Sequence, residues 1–484
     1  MALVSFSRRL AQLAADEPDR IAVVCGDRSL TIGELVRRAD DLAVELRDLG
    51  VQHDDMVTVA LPNSVDWFVA FAAIWRAGAT PQPISARLPQ REIDALVELA
   101  DPRVIIGVPD GSVPDRATLP VGHVAPDAGQ RRDALPDDVA TSWKAPTSGG
   151  STGRPKLIVS GDPAMIDVDQ PLVIAKGTPG VLVMPGPLYH NGPLIWSLMT
   201  LLYGGTVVVL PRFDAEDVLR LIDRHRATQV YLVPTMMKRI WRLPEETRGA
   251  YDLSSLVEVW HLAEPCPEWL KQVWIDWLGP ERIYELYGGT EGQTATTITG
   301  VEWLAHRGSV GRPAPGTVCI TDFDGVELPP NEMGEVWLRN LRDTPTYRYV
   351  GAVPRTREGG WESLGDMGYL DEGGYLHLGD RANDMILSGG ANIYPAEVEA
   401  ALQEHPLIES CVVIGLPDDD RGNVVHAIIE GDPAAIDEAE LRVFLAERLV
   451  SYKVPRVFEF VDEPLRDDAG KVRRAALRQE RMPT

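Results

Sequence analysis

Short apolar runs alternate along the first half of the chain with longer segments in which apolar residues recur every three or four positions. The short runs end at Gly, Pro or Asn, and they predict buried strands at 20–27, 56–63, 180–187, 205–211 and 228–235. The longer segments predict helices at 31–50, 65–79 and 213–227, the last with Asp214 as its N-cap. This alternation is typical of parallel sheets covered by helices, in which ligands bind beyond the carboxyl ends of the strands.

The pattern changes after about residue 310. Short strands separated by Asp-Gly and Pro-Pro-Asn turns at 316–340 predict a small antiparallel, β-barrel-like subdomain. The last part of the chain is predicted to be a small α+β unit with a helix beginning at Pro395, strands at 410–417 and 424–431, and an amphipathic helix at 437–450.

The fold class predicted from these patterns is α/β. We expect a large N-terminal domain, 1–381, with parallel sheets flanked by helices, and a small C-terminal domain, 384–484. The Pro-, Gly- and Asp-rich segment 107–138 is predicted to be an exposed connection.

Composition excludes several classes of protein. The chain has 484 residues, 25% of them charged, and a formal net charge of −25, which argues against nucleic-acid and anionic-membrane partners. No apolar run is long enough to span a bilayer, and the N-terminal segment lacks a signal-peptide pattern. The four cysteines are too far apart for a zinc site or a disulfide framework, so we expect a cytoplasmic protein. The sequence leaves the oligomeric state open between monomer and homodimer.

The segment TSGGSTGRPK, residues 147–156, has the composition of a phosphate-binding loop. Its glycines let backbone amides approach an anion, and its hydroxyls and Lys156 can complete the cradle. It differs from the common G-x-x-x-x-G-K-[ST] loop because Pro155 precedes the lysine and does not lead easily into a helix.

Three further motifs follow in order: YGGTE at 287–291, a Gly- and Asp-rich stretch at 363–395, and DDAGKVRR at 467–474. Each alone has an ordinary explanation as a turn or a solvated tail. Together with the 147–156 loop, their order and spacing resemble the superfamily of adenylate-forming enzymes, which includes acyl-CoA synthetases, non-ribosomal peptide adenylation domains and luciferases. The resemblance extends from about Pro18 to Arg474 and is closest to carboxylic acid–CoA ligases.

The resemblance implies an ATP site. The phosphate loop and Lys156 would grip the β- and γ-phosphates, Tyr287 would stack on adenine, and Asp366 and Arg381 would bind the ribose. The loop residues are Ser148, Gly149, Gly150, Ser151, Thr152 and Gly153, and the remaining nucleotide-site residues are Ala263, Glu264, Pro265, Gly288 and Gly289.

The resemblance also implies the groups that act on the reacting atoms. Lys471, from the small domain, would bridge the acid and the α-phosphate, and Thr290 would contact the α-phosphate. Glu291, with Thr152 as a second contact, would hold Mg²⁺, a hard ion that prefers oxygen ligands.

A rotation of the small, mobile domain about a hinge is implied for the second step. The hinge position is Asn383, where relatives usually have Asp or Lys. In the rotated state Ser388, Gly389 and Gly390 would line a tunnel for the pantetheine arm of CoA. Two other departures from the usual pattern are Glu264, where small residues are common, and the acidic residues that precede Gly470 and Lys471.

The resemblance places the acyl site on the YHNG and VPT loops and on the segment before HLAEP. Its residues are Tyr189, His190, Asn191, Thr235, Met236, Met237, Trp260, His261 and Leu262. This aromatic and Met-rich set, without an acidic partner for an α-amine, favours a bulky hydrophobic or aromatic acid, although the two methionines could equally be core.

The identity of the acceptor is left open by the residues alone. CoA is the leading expectation, a free amine and a separate carrier protein are the alternatives within the enzyme class, and a degenerate nucleotide-binding protein is the non-enzymatic one.

Overall fold

The computed structural model describes residues 3–149, 155–170, 180–314, 316–381, 384–388, 391–418, 422–466 and 471–482. At 148, 149, 380, 381 and 392 it describes the backbone alone. No helix in these segments is both long and apolar enough to cross a bilayer.

Six parallel strands form the centre of a fifteen-stranded sheet. In spatial order they are Ile21–Cys25, Thr206–Val209, Val181–Met184, Gln229–Leu232, Glu258–Leu262 and Ile283–Gly288. Most of their residues are buried, as expected when helices cover both faces of a parallel sheet. The strands predicted at 20–27, 180–187, 205–211 and 228–235 are thereby confirmed.

Several helices of the large domain begin at side-chain caps that the sequence supplies. Thr31 and Glu34 form a reciprocal capping box, and Asp214 Oδ1 accepts from the amides of Glu216 and Asp217, which confirms the predicted N-cap. The helices are Phe6–Asp16, Ile32–Asp48, Val65–Arg76, Gln90–Ala100, Asn191–Leu202, Ala215–His225, Pro234–Trp241, Glu245–Gly249, Glu268–Leu278 and Gly300–Ala305, with a 3₁₀ turn at Pro280–Arg282.

Antiparallel strands extend both edges of this sheet. Arg28–Thr31 pairs with the edge strand Ile21–Cys25. At the other edge the added strands are Ala295–Thr299, Ser309–Pro313, Leu376–Arg381, Asp366–Leu370, Gly334–Arg339, Thr317–Thr321, Trp361–Ser363 and Arg355–Arg357. The antiparallel strands predicted after residue 310 are confirmed, and they continue the parallel sheet through Ser309–Pro313 and Ala295–Thr299.

A second, four-stranded parallel sheet lies in the N-terminal third. Its order is Thr80–Pro83, Met56–Val59, Val104–Ile106 and Ala117–Leu119. The last strand and a 3₁₀ helix at Gly129–Ala134 fall inside 107–138, so the predicted exposed connection contains regular structure and is buried at Thr118 and Leu119. Pairing with Val104–Ile106 explains the difference, because Thr118 and Leu119 are buried in that sheet.

The phosphate-loop segment is bracketed by a small antiparallel sheet. Thr147–Gly149 pairs with Pro155–Ser160, which pairs in turn with Tyr347–Val350. The strand Val4–Ser5 pairs separately with Met165–Ile166. The sheet fixes both ends of the loop to the large domain.

The C-terminal part of the chain has a hydrophobic core of its own, which includes Val398, Leu402, Val413, Ile429 and Leu445. Its strands are Ile386–Ser388, Ala391–Ile393, Ser410–Asp418, Gly422–Glu430 and Val457–Val461, and its helices are Pro395–Gln403, Glu438–Ala446 and Arg474–Glu480. These elements confirm the predicted α+β composition, whereas the domain limits at 381 and 384 stay a prediction.

Candidate active site

The loops that follow four neighbouring parallel strands meet at one edge of the sheet. The strands ending at Met184, Leu232, Leu262 and Gly288 lie side by side and point the same way. The segments that carry Tyr189, Thr235, Glu264 and Glu291 therefore share this edge, where ligands bind in open parallel sheets.

Tyr287 and Asp366 are brought together here from distant positions in the sequence. The Tyr287 hydroxyl donates to Asp366 Oδ2 at 2.7 Å. Asp366 is the first residue of its strand and pairs with Arg381 on the neighbouring strand. The backbone of Arg381, which is also predicted to bind the ribose, therefore lies next to Asp366. The arrangement sets an aromatic ring beside a carboxylate, which suits a base and the sugar attached to it.

Glu291 lies in a buried cluster with Lys156, and 6% of the residue is exposed. Its Oε1 accepts from the Tyr349 hydroxyl at 2.5 Å and lies 3.4 Å from Lys156 Nζ, which is 3.9 Å from the centre of the Tyr349 ring. Burial and the Glu291 carboxylate raise the pKa of Tyr349. The cluster fixes the carboxylate beside the end of the phosphate loop.

Tyr349 was not predicted from the sequence. The one sequence feature that points to it is the alternation of tyrosines with other residues in TYRYV, which places Tyr347 and Tyr349 on one face of a strand.

Gly289 of the YGGTE motif leaves room for the Leu364 side chain and the Glu291 carboxylate. A Cβ at Gly289 would lie 2.6 Å from Leu364 Cδ1 and 2.8 Å from Glu291 Oε2. Gly289 therefore lets the Glu291 carboxylate approach the backbone, and Thr290 lies partly buried next to it.

His190 and Lys144 lie at the N-terminus of the helix Asn191–Leu202. Burial, and secondarily the charge of Lys471, lower the pKa of His190 to about 3, and its Nε2 is buried without a hydrogen-bond partner. The Lys144 ammonium donates to Asn191 Oδ1, and burial lowers its pKa to about 7. Lys144 was not predicted, because a single lysine beside a strand-like run carries no motif.

A cavity of about 250 Å³ opens beside these loops. Of the predicted acyl-site residues, Tyr189, Thr235 and Met236 line it, and Phe213, Arg212, Arg239 and Asn63 are wall residues that the sequence analysis missed. Asn63, Arg212 and Phe213 follow other strands, and Arg239 lies one turn beyond Thr235 on the helix that begins at Pro234.

Two predicted acyl contacts lie in the protein core. Trp260 packs between Trp196 and Tyr284, with ring centroids 5.7 and 4.9 Å away, and it is 1% exposed. His261, the next residue on the strand, points to the opposite face and is fully buried, with neither ring nitrogen hydrogen-bonded. Met237 and Leu262 are also buried. None of these four residues lines the cavity, and their acyl-binding role stays a prediction.

Glu264 connects the large domain to the C-terminal part. Its Oε2 accepts from the Thr235 amide at 3.0 Å and from the Thr235 hydroxyl at 2.8 Å, while its Oε1 lies 4.0 Å from Arg466 Nη1. Burial raises the pKa of Glu264, and Arg466 opposes that effect. The preceding Ala263 has a φ of 75°, a left-handed conformation that is uncommon for alanine. The predicted part of residues 263–265 in adenine binding stays a prediction.

Several predicted site residues fall outside the described residues. They are Gly150, Ser151, Thr152, Gly153, Asn383, Gly389 and Gly390. Ser148, Gly149 and Arg381 are described by their backbone only, Ser388 is buried, and Lys471 is exposed.

The arrangement fits Mg²⁺ and ATP together. Among the described residues, no group of three or more His, Cys, Asp or Glu side chains is placed to hold a metal ion unaided. Magnesium is commonly bound by one or two carboxylates, water and substrate phosphates, so the Glu291 carboxylate beside a phosphate-type loop is a suitable protein contribution.

The solved structures support this use of the site. The o-succinylbenzoate CoA synthetase from Bacillus subtilis, in complex with its acyl-adenylate intermediate, has a TM-score of 0.82 at 26% identity, covering 100% of each chain. The same synthetase is also known with ATP and a magnesium ion. The amide bond synthetase from Marinactinospora thermotolerans has a TM-score of 0.76 at 26% identity and covers 99% of each chain.

Sequence comparison covers nearly the whole chain. A feruloyl-CoA synthase from an Amycolatopsis species is 34% identical over 481 residues, which cover 96% of this chain and 96% of that protein. Residues 10–347 match the family described as AMP-binding enzyme, and residues 397–471 match the C-terminal domain of that family. The chain therefore belongs to the AMP-binding enzymes, the adenylate-forming superfamily whose motifs its sequence carries.

Proposed function

We propose that the protein is an AMP-forming carboxylic acid–CoA ligase. The observation that supports this most directly is the pairing of Tyr287 with Asp366, beside the Glu291–Lys156 cluster, at the carboxyl edge of the sheet. The similarity to CoA ligases over 96% of the chain or more supports the same reaction.

In the first step a carboxylate oxygen of the acid attacks the α-phosphorus of ATP. A carboxylate–phosphorus bond forms, the bond to the β-phosphate bridging oxygen breaks, and pyrophosphate leaves with the electron pair. Bound Mg²⁺ would neutralise charge on the phosphates, and Glu291 would hold it. Lys156 and Lys471 add cations where negative charge accumulates, and Thr290 orients the α-phosphate.

In the second step the thiol of CoA attacks the acyl carbon of the adenylate. The thioester bond forms, the mixed anhydride breaks, and AMP leaves with the former carboxylate oxygen. A rotation of the domain 384–484 about Asn383 would withdraw Lys471 and bring Ser388, Gly389 and Gly390 to the pantetheine arm.

The acid is proposed to be bulky and aromatic. Part of the cavity wall is apolar and is formed by Tyr189, Phe213 and Met236. The cavity volume of about 250 Å³ accommodates a ring system. The acyl groups in the names of two similar enzymes, feruloyl and o-succinylbenzoyl, are both aromatic. A cytoplasmic location is proposed with this function, because ATP and CoA are available there.

The second candidate is an amide synthetase, in which an amine nitrogen replaces the thiol. The similarity in fold to an amide bond synthetase along 99% of each chain is the observation that favours it. Loading of a separate carrier protein would use the same adenylate.

The deciding experiment supplies wild-type protein with MgATP and a panel of aromatic acids, with CoA in one arm and amines in the other. Acid-dependent ATP–pyrophosphate exchange reports the first step, and product mass reports the second. Acyl-CoA formation is expected. Exchange with amide but no acyl-CoA would replace the proposal with the amide synthetase, and exchange with neither product would favour a carrier protein as acceptor. Absence of exchange with every acid would reject the adenylate chemistry.

A further inference from the structure

Lys144 is a buried cation that the proposed mechanism does not use. It lies three residues before the strand Thr147–Gly149, which enters the phosphate loop, and 6% of the residue is exposed. Its Nζ donates to Asn191 Oδ1 and lies 4.9 Å from the centre of the Trp143 ring. These neighbours are neutral, so they leave the charge of the ammonium uncompensated.

Lys271, another buried lysine, has its charge compensated by a neighbouring carboxylate. Lys271, 1% exposed, lies 2.5 Å from the carboxylate of Glu285. Lys144 has no such ion pair among the described residues, and Glu291 and Asp162 act on it only from a distance. A buried ammonium without an anion is costly, because removal from water penalises the charged form.

The surroundings of Lys144 favour an incoming anion. Asn191 is the first residue of a twelve-residue helix, whose N-terminal amides carry partial positive charge. His190 Nε2 is buried there with no hydrogen-bond partner among the described residues, and the charge of Lys471 reaches His190. The described anionic groups that act on Lys144 are the carboxylates of Glu291 and Asp162. No described residue supplies Lys144 with a contacting counter-ion, and an oxygen anion of a reactant would do so.

We propose that Lys144 is a nucleotide-binding residue whose ammonium contacts a phosphate oxygen, either that of the adenylyl group or that of the departing pyrophosphate. The inference rests on the adenylate-forming reaction proposed above. It gives the large domain a second cation at the phosphates, beside Lys156, that stays in place when the proposed domain rotation carries Lys471 away. Asn191 holds the ammonium in place, so the acyl-site loop and the phosphate site are joined through one hydrogen bond.

The test measures binding of AMP and of inorganic pyrophosphate by titration calorimetry, without Mg²⁺, at pH 8. At this pH most of the free Lys144 side chain is neutral, because its pKa is about 7. Contact with a phosphate raises that pKa, so binding takes up a proton, which is detected by repeating the titration in buffers of different ionisation enthalpy. A purely structural lysine would not produce this uptake.

Three variants make the result specific. Lys144→Met should lose the proton uptake and bind one of the two probes at least tenfold more weakly. Lys144→Arg should retain much of the affinity without proton uptake, because arginine stays charged. Lys238→Met is the matched control: burial lowers the pKa of Lys238 to about 8, but it lies on the helix Pro234–Trp241, and its loss should leave the binding of both probes unchanged.

The probes also locate the contact. Weaker AMP binding alone assigns Lys144 to the adenylyl phosphate, and weaker pyrophosphate binding alone assigns it to the leaving group. Unchanged affinity and unchanged proton uptake for both probes in folded Lys144→Met would overturn the proposal. Neither probe requires an acid or CoA, so a failure of the proposed ligase activity would not affect this result.

Discussion

The carboxylate of Glu264 lies 4.0 Å from the guanidinium of Arg466 and links the acyl edge of the large domain to the C-terminal part of the chain. The same guanidinium lies 3.6 Å from Glu399, whose helix belongs to the C-terminal core. Both carboxylates are largely buried, so water screens the contact weakly. Arg466 therefore stabilises the arrangement in which the two parts are joined.

Replacing Arg466 with Met should slow the first step more than the second. The substitution removes the cation between Glu264 and Glu399, so the joined arrangement that brings Lys471 near His190 is populated less. We expect acid-dependent ATP–pyrophosphate exchange to fall roughly tenfold, about 1.4 kcal/mol, because removing one partner of a largely buried ion pair leaves the remaining carboxylates uncompensated. Thioester formation from supplied acyl-adenylate should change less.

Arg473→Met is the control for this variant. Arg473 also connects the two parts, at 3.4 Å from Glu92, but the side chains are 72% and 43% exposed, and such surface pairs contribute little. Equal slowing of both steps by Arg466→Met, or an equal effect of the two variants, would contradict the argument.

Asp366→Ala should weaken ATP binding while the acid continues to bind. The carboxylate is proposed to accept from both ribose hydroxyls, and loss of charge-assisted hydrogen bonds of this kind costs about 1.5–3 kcal/mol, which corresponds to roughly a tenfold to hundredfold rise in KM for ATP. Tyr287→Phe keeps the ring and removes only the 2.7 Å hydrogen bond to Asp366, so its effect should be smaller. Steady-state exchange kinetics with each substrate varied in turn provide the measurement. A rise confined to KM for the acid would refute the ribose assignment.

Much of the fold could be predicted because the helix caps and the hydrophobic patterns in the sequence favour the same helices and strands that the packed structure contains. Asp214 caps its helix as expected, and Val/Leu runs form the parallel strands. The strand Ala117–Leu119 was missed since three residues in a Pro- and Gly-rich segment carry no periodicity, and only pairing with Val104–Ile106 defines them.

The site was predictable where motifs concentrate, as at Tyr287, Glu291 and Asp366. Tyr349, Lys144 and Arg466 could not be found in this way, because each acts through a contact with a residue more than forty positions away in the sequence. Trp260 and His261 are neighbours on one strand and point to opposite faces of the sheet, so at most one of them can face a given cavity, and their acyl-binding role stays a prediction.

Lys471→Ala should nearly abolish adenylate formation without unfolding the protein. Lys471 is exposed, and its charge acts on His190, beside the acyl edge. Loss of a cation directed at the reacting oxygens should cost roughly 3 kcal/mol, or more than a hundredfold in rate, by analogy with the removal of an oxyanion-hole donor. Thermal unfolding should match that of wild type. Exchange within about threefold of wild type would reject the assignment.

His261→Leu should make stability less sensitive to acid. Burial lowers the pKa of His261 to about 4, so between pH 6.5 and 4 the unfolded chain binds a proton that the folded protein does not. Stability therefore falls as pH drops through this window, by about 1.4 kcal/mol per pH unit for this residue. Urea unfolding at pH 7.5 and pH 5 should show a smaller difference for His261→Leu than for wild type. Met237→Leu, a buried change without a titrating group, should retain the wild-type difference, and an unchanged difference in His261→Leu would contradict the burial argument.

Glu291→Gln should raise the Mg²⁺ concentration that the first step requires. The carboxylate lies beside Lys156 and accepts from Tyr349, and the amide keeps an acceptor oxygen for that hydroxyl while losing the charge that favours a hard cation. We expect the half-saturating Mg²⁺ concentration to rise roughly tenfold and the exchange rate to fall, and EDTA should stop the wild-type reaction. Tyr349→Phe is the matched variant, because it removes the hydrogen bond but leaves the charge, so it should shift the Mg²⁺ requirement far less. Undiminished wild-type exchange in EDTA would exclude the metal role, and equal shifts in the two variants would mean that Glu291 acts by packing rather than by its charge.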